Sequence, residues 1–151
     1  MSQKADHALL ARLIEMLSQV CAHIDSDTAS CEHCPADQIQ QCRSSLRAAS
    51  GKITFALVTH IIDEDERMLA MPHTREVAEH CETHRREHVR FTTNFNHAVK
   101  ALDPDNIAAS SHRLSDFLST WMRAHVIEFD AQLDALNHQH PKHRNTATHN
   151  G

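Results

Sequence analysis

The chain has 151 residues, only two glycines and four prolines, no tyrosine, and a formal charge of -5 with its histidines neutral. That length suits one domain with a real core, the negative balance argues against a nucleic-acid partner, and the wealth of helix formers with few turn formers points to an all-α chain. The outlier is histidine, present fifteen times.

Four amphipathic helices are predicted. The first, over 4–24, puts His7, Leu10, Ile14, Leu17, Cys21 and Ile24 on one face at steps of three and four. A longer, cysteine-rich connection follows at 25–36, "DSDTASCEHCPA". The second helix, over 37–71, carries Ile39, Cys42, Leu46, Ala49, Ile53, Leu57, His60, Glu64 and Met68 on its stripe, with Asp37 and Gln40 spaced as a capping box. Gly51 interrupts it without an assigned role. The third, over 72–102, aligns Val77, Cys81, His84, His88, Phe91, Phe95, Ala98 and Leu102. The fourth, over 104–137, has Asp103 as its expected cap and Pro104 at its first position, with a stripe of Ile107, Ser111, Leu114, Leu118, Trp121, His125, Phe129 and Leu133. Short connections after the second and third helices make neighbours antiparallel, which gives an up-down-up-down four-helix bundle over 1–137. The remainder, 138–151, is polar and expected to be disordered.

The N-terminal "MSQKADHALL" lacks the apolar segment of a secretory signal, and no uncharged apolar run is long enough to span a bilayer. A soluble cytoplasmic protein with reduced thiols is expected.

The inward stripes carry ligand-type residues: His7, then His60 and Glu64, then His84 and His88, then His125. Counted from the hairpin ends, these positions fall at one level of the bundle. Asp130 stands five after His125. In an α-helix five steps turn about 140° past a full turn, so its carboxylate must reach sideways. Burying five imidazoles and two carboxylates without partners would be very costly. A metal centre removes the objection, and seven ligands suit two ions sharing two carboxylates better than one tetrahedral zinc.

In this order the motifs "DHALLARLIEML", "HIIDEDERML", "HRREHVRF" and "FLSTWMRAHVIEFD" resemble the hemerythrin family of non-haem di-iron proteins, its bacterial members in particular, over roughly residues 6 to 135. The resemblance implies that Glu64 and Asp130 bridge two irons, that His84, His88 and His125 complete one, and that His7 and His60 bind the other and leave it an open position for dioxygen. Leu10, Ile14, Leu57, Phe91, Leu118, Trp121 and Phe129 are candidates to line the oxygen pocket. Two spacings depart from the family pattern. His80 rivals His88 in the paired-histidine motif, and His23 rivals His7 as the first ligand. His84 with His88 is preferred because Phe91 follows, and His7 because it sits in "DHALLARLI".

Cys21, Cys31, Cys34 and Cys42 gather around the first connection. They suit a zinc, an iron–sulfur centre or a reversible disulfide; four reduced thiols are the plainer alternative. Cys81 reads as core filler. The implied function is reversible dioxygen binding for storage, delivery or sensing, without catalysis. An oxygen or redox sensor domain acting on a signalling output is the alternative, and peroxide consumption or ferrous-iron oxidation ranks third.

Overall fold

The computed structural model describes residues 3–19, 34–103 and 105–139. Every regular element among them is helical: α1 (Gln3–Gln19), α2 (Ala36–Leu69), α3 (Arg75–Lys100), α4 (Ile107–His125), a π-helical turn (Val126–Asp130) and α5 (Ala131–Gln139). The last three run on without a break, so the chain forms an all-α, four-helix arrangement. None of the described helices is long and apolar enough to cross a membrane.

Local chemistry sets the helix ends. α3 starts at Arg75, three residues later than the periodicity suggests, because Thr74 accepts a hydrogen bond from the Val77 N–H and caps it. α4 starts at Ile107, where the Asn106 side chain accepts from the Ala109 N–H. Asp103, the expected cap, instead accepts from the Asp105 N–H at 2.8 Å and closes the turn before the helix; Pro104 lies outside the described residues. The expected capping box on α2 does not form. That helix follows Pro35 with no side-chain cap, and Asp37 sits inside its first turn, where a carboxylate favours the helix dipole.

Contacts give the directions. His88 and Arg85 approach Asp65 while Cys81 shares a cluster with Met68 and Met71, so α3 rises as α2 descends. His84 and His88 meet His125 while Phe91 meets Trp121 and Phe117, so α4 runs against α3. α1 packs on α2 and α4.

The interior has three layers. A large apolar cluster joins α1, α2, α3 and α4 around Leu10, Leu17, Ile53, Phe91, Ile107 and Leu118. A small one, Met68, Met71, Val77, Cys81, Leu133 and Leu136, lies towards the α2–α3 connection. Along α2, α3 and the α4–α5 rod alike, the buried ligand-type residues fall between the two.

Candidate metal centre

Each helix places its donors through its own periodicity. On α2, His60 and Glu64 are one turn apart on the core face, and both are buried. On α3, His84 and His88 repeat the relation and are likewise buried. His125 ends the regular part of α4, and His7 comes from the first turns of α1.

Asp130 is delivered by a device the periodicity did not reveal. Over Val126–Asp130 the ladder widens, and the Ala131 N–H bonds to the Val126 carbonyl, five residues back. A π turn brings residue i+5 back over residue i. Asp130 therefore sits beneath His125, its Oδ1 3.1 Å from His125 Nε2, and it is buried. The expected sideways reach is not needed.

The donors converge in two groups. One comprises Glu64, His84, His88 and His125; the other comprises His60, Glu64, His125 and Asp130. Glu64 and His125 belong to both. Glu64 Oε2 lies 3.3 Å from the Nε2 atoms of His84, His88 and His125, and 3.4 Å from that of His60. His125 Nε2 is also 3.3 Å from His84 Nε2 and 3.4 Å from His88 Nε2. Asp130 divides its oxygens: Oδ2 stands 2.6 Å from His7 Nε2, and Oδ1 faces His125 and, at 3.6 Å, His84. His7 lies outside both groups but edges onto the His60 ring, with centroids 5.3 Å apart.

These distances fit ions better than hydrogen bonds. Ligands about 2.1 Å from one ion at right angles stand about 3.0 Å apart. The close pair His7 Nε2 and Asp130 Oδ2 has hydrogen-bond distance, yet both atoms, with Asp130 Oδ1, are buried without a hydrogen-bond partner. Lone pairs aimed past one another at a common point produce that combination. Buried polar atoms rarely stay unsatisfied, so the donor set fits metal.

Charge in the layer agrees. Burial pushes the Glu64 carboxyl up, but the His125, His84 and His88 imidazoles outweigh it and hold it well below the carboxylate range. Asp130 is lowered in the same way, burial being overcome chiefly by His125 and His7. Burial pushes His125 down, yet Asp130 and Glu64 prevail and raise it to about 9. His60 is lowered, chiefly by burial. Two carboxylates are thus kept ionised and face imidazoles, a layer able to neutralise cations.

The surroundings fix the ligands. Trp121 stacks on His125 with centroids 4.5 Å apart, and Phe91 stacks on Trp121 at 3.7 Å. Phe129 covers the other side, 5.2 Å from His84 and 5.6 Å from His125. Of the expected pocket residues, Leu10, Ile14, Leu57, Phe91, Leu118 and Trp121 fall in the large apolar cluster; Phe129 lies outside it, on the π turn. Sequence reasoning missed two neighbours. Arg67 donates to Glu64 Oε1 at 3.2 Å, and Asp65 Oδ1 approaches His88 Nδ1 at 3.6 Å. Arg67 left a usable signal, three residues beyond Glu64 on the helix; Asp65 left none, because it meets His88 across two helices.

Of the rivals, His88 belongs to a donor group and His80 does not; His80 is half-buried, with its ring 5.4 Å from that of His84. His23 lies outside the described residues, as do Cys21 and Cys31. Cys34 and Cys42 form no disulfide among the described residues. Cys81 is buried in the small apolar cluster, as its place on the stripe suggested.

No protein-family model matches the chain, and no curated protein or solved structure matches it at a significant level. What stands is a four-helix arrangement with two clustered His/Glu/Asp metal-binding groups that resemble a hemerythrin-like di-iron motif.

Proposed function

We propose that this chain binds dioxygen reversibly at a non-haem di-iron centre. The observation that supports it most is the pair of donor groups sharing Glu64 and His125, since two sets with common members suit two adjacent ions. In this reading Glu64 and Asp130 would be the carboxylates shared by the two ions, while His125, whose Nε2 has one lone pair, would serve only one of them although it belongs to both groups. His84, His88 and His125 hold one ion. His7 and His60 hold the other, which has fewer protein ligands and keeps a position for a small molecule.

Iron supplies the electrons and the coordination site that dioxygen needs. The protein controls the rest. Five imidazoles against two carboxylates favour the reduced ions. The large apolar cluster excludes water from one side of the layer, and Phe129 shields another. Access comes from the His7 side. Its side chain is 19% exposed, while the other six stay under 5%. A cavity of about 750 Å³ between α1 and α4 reaches His7 past Ala8, Ala11, Ser115 and Ser119.

Metal analysis with optical spectroscopy tests the reading. About two irons per chain are expected, with a band that appears on air exposure of the reduced protein and vanishes when oxygen is removed. A single iron, or none, would sink the di-iron assignment. Two irons with no reversible band, but with steady consumption of peroxide or ferrous iron, would make the chain an enzyme instead.

A further inference from the structure

α2 carries a second apolar face. Phe55, Val58, Ile62 and Leu69 lie opposite Ile53, Leu57, His60 and Glu64 on the wheel, and they are 75%, 49%, 51% and 68% exposed. Their steps of three, four and seven make a seam of the kind that pairs two helices. Four large exposed side chains on one face exceed the scatter normal for a monomer's surface. Further back on the same face, Ala48 and Gly51 are exposed, and nothing lies within 4 Å of where a Gly51 Cβ would stand.

The charges beside the seam are ordered by sign. Lys52 lies towards its start, and Asp65 and Glu66 towards its end. Lys52 and Glu66 are both exposed, and neither forms an ion pair among the described residues. At 1.5 Å per residue they stand about 21 Å apart, and Thr59 is midway between them.

We propose that this face pairs two copies of the chain, with α2 antiparallel to α2 of the second copy about a two-fold axis near Val58 and Thr59. In that register Phe55 meets Ile62 of the second copy, Leu69 covers Ala48, and Lys52 comes opposite Glu66, which shares its flank of the seam. The two-fold repeats each contact, as an isologous interface requires. An unrelated partner would need the same seam with the reverse order of charge. The chain's own helix, turned end for end, already has both. The cavity beside His7 has no lining residue on α2, so pairing leaves it open.

Sedimentation equilibrium of the full metal-loaded chain, from about 1 to about 300 μM, tests the proposal. A monomer–dimer equilibrium with a micromolar constant is expected. Phe55→Glu and Ile62→Glu should each weaken it at least about 30-fold, with helicity and metal content unchanged. Lys52→Glu alone and Glu66→Lys alone should each weaken it about three- to tenfold. The double variant should recover to within about twofold of the parent, because the exchanged charges meet again across the two-fold. A single monomer mass throughout the range overturns the proposal. So does a dimer that Phe55→Glu leaves intact, or a double variant no tighter than the singles.

Discussion

The large apolar cluster and the donor layer beside it are both buried, and they are held together for opposite reasons. Around Leu118 and Ile53 burial is itself the driving force, about 1.5–3 kcal/mol for each large side chain removed from water. In the donor layer burial is the cost, and Glu64 and Asp130 stay ionised only because imidazoles face them. One region stabilises the helices whatever is bound. The other gathers donors that could coordinate metal ions, and four helices bring them together at a single height.

Substitutions in the donor layer should have the largest effect. Replacing Glu64 or His125 by alanine removes a residue common to both donor groups, so metal analysis should show loss of the ion pair. With it should go the thermal stabilisation that metal confers, about 3 kcal/mol per ion at a hundredfold excess over the dissociation constant. His88→Ala should weaken metal binding and His80→Ala should spare it. Two retained ions in both the Glu64 and His125 variants would undo the ligand assignment.

Leu118→Ala should separate the regions. Leu118 is fully buried in the large cluster, and its truncation should cost about 2–5 kcal/mol in denaturant unfolding, with or without metal. A loss confined to the metal-loaded protein would mean that the two layers are not independent.

The pH response of the metal-free protein sharpens the contrast further. His125 is raised to about 9, so its contribution is complete below its ordinary value of 6.5 and fades as pH climbs through 9. His60, Glu64 and Asp130 are lowered, so their contributions fade as pH falls, through 6.5 for His60 and then through the carboxylate range. Melting temperature without metal should therefore peak near pH 6.5 and drop on both sides. Metal requires neutral imidazole, so metal uptake at pH 7 should release a proton and become tighter as pH rises. A flat alkaline limb without metal would contradict the His125–carboxylate coupling.

The smallest effect belongs to Gly51. Its φ is not positive and a Cβ would meet open space. Gly51→Ala, melted in dilute solution, should gain about 0.4–1 kcal/mol from helix propensity; no gain would show that the exposed face is not open.

Much of this was legible in the sequence because helical periodicity and hairpin symmetry are linear. The stripe His60, Glu64, Met68 on α2 and its counterpart on α3 appear buried as expected. Helix ends were less legible. Asp103, Asp105 and Asn106 are all plausible caps, and the choice rests on backbone turns that only packing fixes. Asp130 was found by its motif, but its route into the layer was not, because a π turn has no compositional mark of its own.

That turn makes the chemistry sensitive to winding as well as to composition. Were the same residues wound as an ordinary α-helix, everything after the turn would swing by about 100°. Leu133 and Leu136 would leave the small cluster together with the acid they follow. A rod one amino acid shorter within that stretch would wind as plain α-helix and still set its aspartate one turn beyond His125, so the widened ladder is the means by which the chain absorbs one extra residue without losing the donor.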